Sequence, residues 1–206
     1  VRLEVAPCDG EGFLRPEVFA EALVRVRPDL AVISHASNVC GTVQDLPALA
    51  ALCRGSGTPL VADCAQTAGL LPLDAQGLGL AALCFTGHKG LMGPQGIGGV
   101  MFEPEFARRV DWFVEGGTGS FSHLELHPEA MPDKFEAGTP NMPGIAGLLA
   151  ALRWPQARVD ASDVSAPALS LARENLELPA GSIRSEQRDF VVRMERGYRT
   201  AEDFHR

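Results

Sequence analysis

The sequence predicts an α/β protein, a three-layer sandwich in which helices cover both faces of a mainly parallel sheet. Three observations support this fold class: short apolar runs recur along the first hundred residues, helical patterns lie between them, and polar residues follow most of the runs. Strands that alternate with helices are typical of parallel sheets covered on both faces. Because ligands bind such sheets at the carboxyl ends of the strands, the polar residues there are candidates for a site.

The apolar runs are predicted to be buried strands because they are short, apolar and bounded by turn residues. They are LAVIS at 30–34, PLVAD at 59–63, AALCF at 81–85 and GGVMF at 98–102. Polar residues follow the first three runs, at 34–38, 63–66 and 86–89. The carboxyl ends of these three strands are therefore the expected position of a site.

Helical patterns occupy several of the segments between and after the strands. The sequence predicts helices at 16–26, at 45–55 and at 143–152, the second with Asp45 as its N-cap and Gly55 as its stop. Residues 116–141 are rich in glycine and proline and show little periodicity. Irregular loops of this length are usually functional or bound to a partner.

Charge and glycine content change near residue 150. Residues 1–150 carry 9 Lys and Arg against 17 Asp and Glu, whereas residues 151–206 carry 9 of each, and only two of the 22 glycines lie beyond residue 150. Such a shift predicts a boundary between Ala151 and Pro155. We therefore expect a large domain at 1–152 and a helical tail at 153–206.

The composition limits the partners of the chain. With 206 residues and 46% hydrophobic content, the sequence can form one domain with a substantial core. A net charge of -8 argues against nucleic acid and anionic lipid, which need a cationic surface. No apolar run approaches the roughly 18 residues that span a bilayer, and the first residues lack the pattern of a signal peptide. We expect a cytoplasmic protein that binds neither nucleic acid nor membrane.

Metal and nucleotide sites are not expected either. The five cysteines show no C-x-x-C and no metal-type spacing, and we interpret them mostly as reduced, small apolar residues. His123 and His127 lie in HLELH, which lacks the H-E-x-x-H order of a helical zinc site. The glycines at 93–99 follow Lys89 rather than precede it, and they lead into a predicted strand, so they match neither a phosphate loop nor a dinucleotide-binding turn.

Lys89 is the candidate for covalent chemistry. It follows a predicted strand and lies among glycines that allow a backbone to approach a ligand closely. A lysine amine in a dry site can attack an aldehyde. The other lysine, Lys134, lies beside acidic residues that favour its charged form. The alternative interpretation of Lys89 is an ordinary exposed lysine at the end of a strand.

The polar neighbours of Lys89 in the predicted sheet match the functional groups of pyridoxal phosphate. Asp63 ends an apolar strand, where a carboxylate needs a cation such as a protonated pyridine nitrogen. Gln66 can donate to a ring oxygen, and Thr86 and His88 can donate to a phosphate. For Asp63 the alternative is an N-cap of the following turn.

Several segments together resemble the class V, fold type I pyridoxal-phosphate enzymes, and within them the cysteine desulfurase-like group. The segments are SHASNVCGTVQDLPALA (34–50), PLVADCAQTAGLLPLD (59–74), FTGHKGLMGPQGIGGVMF (85–102), GGTGS (116–120) and MPDKFEAGTPNMPGIAGL (131–148). They lie in the family's order across about residues 1–152. The resemblance implies the large domain of a pyridoxal-phosphate-dependent transferase, incomplete in this chain.

The resemblance implies a role for each matching residue. Lys89 is the implied catalytic lysine, which bonds to the cofactor and moves protons. Asp63 is implied to pair with the pyridine nitrogen, and Gln66 to donate to the ring oxygen. Thr86 and His88 are implied phosphate ligands.

Two further residues extend the implied site. Asn38 is similar to an asparagine near the cofactor ring and the substrate carboxylate. Thr139 corresponds to a residue that reaches the phosphate of the neighbouring subunit, so a homodimer is implied. The implied reaction converts L-cysteine to L-alanine and passes sulfur through an enzyme cysteine to an acceptor, which can be a protein. Selenocysteine lyase chemistry, or another class V reaction, is the alternative.

The sequence departs from the family in ways that bear on activity. The family's ring-stacking aromatic residue and first phosphate-binding turn have no counterpart here, and no cysteine follows Cys84. None of the five cysteines matches the persulfide carrier. Cys40 and Cys64 lie near implied site residues, but we interpret both as packing residues. We expect a truncated, impaired enzyme, or alternatively a non-catalytic remnant or fusion fragment.

The tail has a different resemblance. Residues 157–178 resemble a strand and helix of class I methyltransferases, with Asp163 in the place of the acidic residue that holds the ribose of S-adenosylmethionine. The glycine-rich loop that should precede this strand is missing. The alternative is an ordinary helix with Ser165 and Pro167 at its start.

Overall fold

The computed structural model describes residues 1–121, 123, 125–153, 158–162 and 191–195. The chain forms two units, Val1–Leu149 and Ala150–Arg206. In the second unit, β5 (Arg158–Ser162) and β6 (Val191–Glu195) pair antiparallel. Of the methyltransferase-like segment at 157–178, the described residues include only β5, and Asp163 and the predicted helix lie outside them. The domain boundary and the origin of the tail therefore stay predictions.

Helices and strands alternate through the first unit as the sequence predicts. In chain order they are α1 (Pro16–Val26), β1 (Ala31–Ser34), α2 (Leu46–Ser56), β2 (Leu60–Asp63), α3 (Ala75–Leu78), β3 (Ala82–Thr86), β4 (Gly98–Phe102), α4 (Pro104–Arg109), a 3-10 helix at Asp133–Phe135, and α5 (Met142–Arg153), which continues into the second unit.

The sheet of the first unit has the order β1-β2-β3-β4. The first three strands are parallel and β4 is antiparallel to β3, which confirms a mainly parallel α/β sheet. The reversal follows from the length of the connection. Parallel strands need a crossover of roughly a dozen residues or more, usually with a helix. The β3–β4 connection spans only Gly87 to Ile97 and contains no helix.

Local signals explain where α2 begins and ends. The Asp45 carboxylate accepts a hydrogen bond from the amide of Ala48 at 3.0 Å, which confirms Asp45 as the N-cap. The prediction that Gly55 stops the helix is wrong by two residues. Gly57 ends it instead, because Gly57 has φ 70° and its amide bonds back to the carbonyl of Arg54.

The hydrophobic core lies between the sheet and the pair α1 and α2. Phe19 and Leu23 are one turn apart on α1, and Leu49 and Cys53 are one turn apart on α2, so each helix buries one face. Ile33 is among the sheet residues that complete this cluster, and Leu49 is fully buried. The pair α1 and α2 therefore covers one face of the sheet.

The opposite face of the sheet is covered unevenly. At β4, the ring of Phe102 stacks on Phe135 with centroids 4.9 Å apart, and on Phe106 at 6.4 Å. At β1, Val32 on the same face is 66% exposed. The described residues therefore leave this face open beside β1 and β2, where the predicted site lies.

Candidate functional site

Asp63 and Thr86 lie at the carboxyl ends of two adjacent parallel strands. Asp63 is in register with Ser34 on one side and Cys84 on the other. Side chains in register share a face, and so do residues two apart on one strand. Asp63 and Thr86 therefore project from the same face, the one that is open at β1.

The structure shows the capping role considered for the Asp63 carboxylate, whereas its pairing with a pyridine nitrogen stays a prediction. Its Oδ1 accepts a hydrogen bond from the amide of Ala65 at 2.9 Å, so the carboxylate caps the turn that follows β2. Its Oδ2 receives no hydrogen bond from the described residues. Oδ2 of Asp63 therefore remains available to a cationic ligand. The charge of Asp63 also reaches the neighbouring strand, where burial first, and then this charge, raises the pKa of the Cys84 thiol.

Thr86 and His88 are brought together at the start of the β3–β4 connection. Thr86 Oγ1 and His88 Nδ1 lie 2.8 Å apart, in a hydrogen bond whose donor depends on the imidazole tautomer. Lys89 follows directly and is half-buried, and within the described residues its amine makes neither a hydrogen bond nor an ion pair. Three potential donors therefore lie within four consecutive residues at one strand end.

Close backbone contact joins the turn that carries Gln66 to the segment that carries Lys89. Gly69 has φ 85°, and a Cβ built on it would lie 2.6 Å from the carbonyl carbon and oxygen of Gly90. No side chain can occupy that space, so the two glycines permit the contact. Gln66 and Lys89 are consequently held on neighbouring turns of one strand-end surface.

Asn38 and Thr139 complete the set of predicted residues but are not joined to the others. Asn38 is exposed in a turn closed by the hydrogen bonds of Ser37 to Thr42 and Gly41. Thr139 is exposed in the segment after the 3-10 helix. Neither side chain makes a hydrogen bond within the described part of the chain.

Two buried polar residues at the site were not found from the sequence. His35 is 5% exposed, and its Nδ1 lies 2.8 Å from Thr67 Oγ1. Burial lowers the pKa of His35, so the ring is neutral at neutral pH. The only sequence signal was position, because His35 follows the first strand and Thr67 follows Gln66. This pair ties the turn after β1 to the turn that carries Asp63 and Gln66.

The cysteines divide by exposure. All five are free, with Cys53 and Cys64 buried, Cys84 intermediate, and Cys8 and Cys40 exposed. Packing is therefore the role of Cys53 and Cys64, whereas the same interpretation is wrong for Cys40. Hydrogen bonds from Ser37 and Thr42 lower the pKa of the Cys40 thiol to about 7.

The residues at the strand ends fit pyridoxal phosphate by their chemistry. A carboxylate oxygen is free for a pyridinium nitrogen, an amide lies on the next turn, and a hydroxyl, an imidazole and an amine follow the neighbouring strand. Within the described residues, no three His, Cys, Asp or Glu side chains are placed to hold a metal ion. Fold and site thus define an α/β protein suited to an anionic aldehyde cofactor.

Comparison with known proteins identifies the family. The family described as "Aminotransferase class-V" matches residues 1–178, and the chain belongs to this family. The class V aminotransferases and the cysteine desulfurases among them depend on pyridoxal phosphate, the cofactor that the sequence predicts.

Individual relatives point to one group within the family. A probable cysteine desulfurase of Pyrococcus abyssi is 34% identical over 158 residues, which are 75% of this chain and 38% of that protein. A cysteine desulfurase of Salmonella typhimurium is 39% identical and covers 74% of this chain and 38% of its own length. The apo structure of the cysteine desulfurase of Thermococcus onnurineus matches with a TM-score of 0.66 and 32% identity, over 74% of this chain and 38% of that one. The chain thus spans somewhat more than a third of these relatives.

The helices give one further fact. Within the part of the chain that the structure describes, every helix is too short or too polar to cross a bilayer.

Proposed function

We propose that the chain is the cofactor-binding part of a pyridoxal-phosphate-dependent cysteine desulfurase-like enzyme. The reaction converts L-cysteine to L-alanine and transfers the sulfur to an acceptor. The observation that supports this most strongly is the shared face of Asp63 and Thr86 at adjacent strand ends, with Lys89 three residues beyond Thr86. When bound, the cofactor accepts the electrons released when a bond at the α-carbon of the amino acid breaks.

Each residue has a proposed task. Lys89 bonds to the cofactor and moves protons at its Nζ, and the partial burial of this residue restricts the positions that its side chain can take. Asp63 holds the pyridine nitrogen through Oδ2, while Oδ1 is fixed by Ala65. Gln66 orients the ring by donating to its oxygen. Thr86 and His88, already hydrogen-bonded to each other, hold the phosphate.

The partners and the location are also proposals. Asn38 lies in an exposed turn, from which it can meet the carboxylate of a small amino acid. Thr139 is exposed and makes no hydrogen bond within its own subunit's described residues, which suits a contact with the phosphate site of a second copy. We therefore propose a homodimer that passes sulfur to an acceptor protein. Free thiols at all five cysteines are consistent with the reducing cytoplasm.

A second candidate is a non-catalytic remnant of such an enzyme. It is favoured by the exposure of Asp63 and His88, because the described residues leave both side chains in solvent rather than in an enclosed site. The remnant would retain the sheet and bind the cofactor weakly or not at all. The two candidates differ in whether Lys89 reacts.

The test uses the fact that the chain has only two lysines. The purified chain is incubated with pyridoxal phosphate, reduced with borohydride and digested, and the modified lysine is located by mass spectrometry. We expect modification of Lys89 in the wild type and its loss in Lys89→Arg, which keeps the charge. Lys134 is 2% exposed and serves as the internal control. An unmodified Lys89 in the wild type would leave only the remnant.

Activity is measured separately, as alanine released from L-cysteine with an added thiol acceptor. Modified Lys89 together with alanine release supports the full proposal. Modified Lys89 without alanine release would show a cofactor-binding domain that does not complete the reaction in this chain. L-Selenocysteine replaces L-cysteine in a parallel assay to test the alternative chemistry.

A further inference from the structure

We propose that Asn141 is a positioning residue for Lys89, which it holds through the backbone of the β3–β4 connection. This inference rests on the proposed function in assigning the cofactor to Lys89 and the contact with a second copy to Thr139. We call residues 87–97 the lysine loop. The argument depends on how this loop is closed, on what Asn141 contacts, and on how α5 packs against the loop.

The lysine loop is held by backbone hydrogen bonds at its two ends. Gly87 donates to the carbonyl of Ile97 at 2.8 Å and accepts from the amide of Gly93 at 2.7 Å. Lys89 accepts from the amide of Met92 at 2.8 Å. The residues between Gly93 and Ile97 lack backbone hydrogen bonds of this kind in the described structure. That part of the loop needs another support if Lys89 is to keep one position.

Asn141 supplies that support with both ends of its amide. Its Nδ2 donates to the carbonyl of Gly96 at 3.2 Å, across 45 residues of sequence. Its Oδ1 accepts from the amide of Gly144 at 3.0 Å, in the first turn of α5. A single side chain therefore joins the unsupported half of the lysine loop to the start of a helix.

Close packing between α5 and the lysine loop accompanies this bridge. A Cβ on Gly147 would lie 2.9 Å from Pro94 Cγ, so the loop rests directly on the helix backbone. A Cβ on Gly93 would lie 2.8 Å from Leu148 Cδ1. These contacts are apolar and can slide, whereas the Asn141 hydrogen bonds have fixed directions. Asn141 thus sets the register of the loop on α5.

The bridge also connects two parts of the proposed site. Thr139, assigned to the phosphate site of a second copy, lies two residues before Asn141. A displacement of Thr139 would reach Gly96 through Asn141, and through the loop it would reach Lys89. Asn141 consequently links the lysine of one subunit to the residue that this subunit contributes to its partner.

The test compares Asn141→Asp with Gln95→Glu. Asn141→Asp keeps the size and an acceptor for Gly144 but places a carboxylate oxygen against the Gly96 carbonyl. Gln95 lies in the same loop, is exposed and has no side-chain hydrogen bond within the described residues, so Gln95→Glu adds the same charge without removing a bond. Hydrogen exchange of the peptides that cover the lysine loop is followed by mass spectrometry without cofactor.

We expect exchange of the Gly87, Met92 and Gly93 amides, whose hydrogen bonds close the lysine loop, to quicken about three- to tenfold in Asn141→Asp, the range that one hydrogen bond gives. In Gln95→Glu their exchange should stay at the wild-type rate. Reactivity of Lys89 is then measured with pyridoxal phosphate plus borohydride, and with formaldehyde plus cyanoborohydride as a small probe that needs no orientation. Labelling by pyridoxal phosphate should fall in Asn141→Asp relative to labelling by formaldehyde. A general loss of structure would change both labels in the same direction.

Unchanged exchange in Asn141→Asp would overturn the bridge. Faster exchange with an unchanged labelling ratio would overturn the positioning of Lys89. If pyridoxal phosphate labels no lysine in the wild type, the proposed function fails, and with it the role of Asn141 toward the cofactor; the exchange measurement still decides the bridge.

Discussion

His35 and Thr67 form a buried hydrogen bond, 2.8 Å from Nδ1 to Oγ1, that joins the turns after two neighbouring strands. A backbone hydrogen bond joins the same region, because the amide of His35 donates to the carbonyl of Asp63 at 2.9 Å. Cys64 Sγ lies 4.0 Å from the same imidazole nitrogen. Asp63, whose carboxylate we propose holds the cofactor ring, therefore lies next to a turn that buried polar contacts hold in place.

Removing the hydroxyl of Thr67 should destabilise the protein. Thr67→Val keeps the shape but leaves His35 Nδ1 at a buried position with only the 4.0 Å contact to Cys64 Sγ, which costs about 1–3 kcal/mol. The free energy of unfolding in urea measures the loss. Thr139→Val, at an exposed threonine without a side-chain hydrogen bond in the described residues, is the matched control and should change stability by less than about 0.5 kcal/mol. Equal effects of the two substitutions would contradict the role of the buried bond.

Stability should fall with acidification in a way that depends on His35. Burial lowers the pKa of His35 in the folded state below its ordinary value of 6.5. As the pH falls below about 6.5, the unfolded chain therefore binds a proton that the folded chain does not, and stability is lost until the pH passes the folded-state value. Urea titrations between pH 8 and 5 should show a shallower decline for His35→Gln than for the wild type. Parallel declines would contradict the prediction.

Lys134 and Glu129 form an ion pair, and replacing one of them should change the stability of the protein more than replacing the other. Lys134 is 2% exposed, and its Nζ lies 3.0 Å from Glu129 Oε2 and 3.3 Å from the carbonyl of Ala107. Glu129→Gln leaves a buried ammonium without its counter-charge and should cost about 1 kcal/mol, a limit set by the solvent exposure of Glu129. Lys134→Met removes both charge and desolvation cost and should be nearly neutral. Urea unfolding of both variants tests this, and a larger loss in Lys134→Met would contradict it.

Cys40 should be the most reactive thiol near neutral pH. Hydrogen bonds from Ser37 and then Thr42 lower the pKa of its thiol to about 7, so about half of it is thiolate at that pH. Iodoacetamide labelling of Cys40 should rise with a midpoint near pH 7, and Ser37→Ala should move the midpoint upward. Cys53 is buried and its thiol pKa is raised to about 11, so it should remain unlabelled in the folded protein.

Gly90 should tolerate no side chain. A Cβ at this position would lie 2.5 Å from the carbonyl oxygen of Ala68, so Gly90→Ala must separate the two turns that carry Gln66 and Lys89. We expect a loss of about 1–3 kcal/mol in urea unfolding and weaker labelling of Lys89 by pyridoxal phosphate. Gly55→Ala is the control, because Gly55 lies inside α2 with open space around its Cβ position and should gain about 0.5–1 kcal/mol.

Much of the fold was accessible from local pattern. The four strands were predicted within about one residue of their observed ends, and Asp45 was identified as a cap because both signals depend on neighbours in sequence. The hydrogen bond of His35 to Thr67 was not accessible, since it joins residues 32 apart and only the pairing of β1 with β2 brings them together. The same holds for Asn141, whose amide acts across 45 residues. That Asp63 and Thr86 share a face is an intermediate case. The sequence does not show it directly, but it can be inferred once the two strands are taken to be parallel.

The direction of β4 has a consequence for how the chain acquires its structure. Thr86 pairs with Gly98 across 12 residues, whereas Ala31 pairs with Leu60 across 29. Closing a shorter loop loses less chain entropy, so this hairpin has a lower kinetic barrier to formation than either parallel pairing. We therefore expect the β3–β4 hairpin, which carries Lys89, to form early in folding. This hairpin should persist in partly folded states after the pairing of β1 with β2 has been lost.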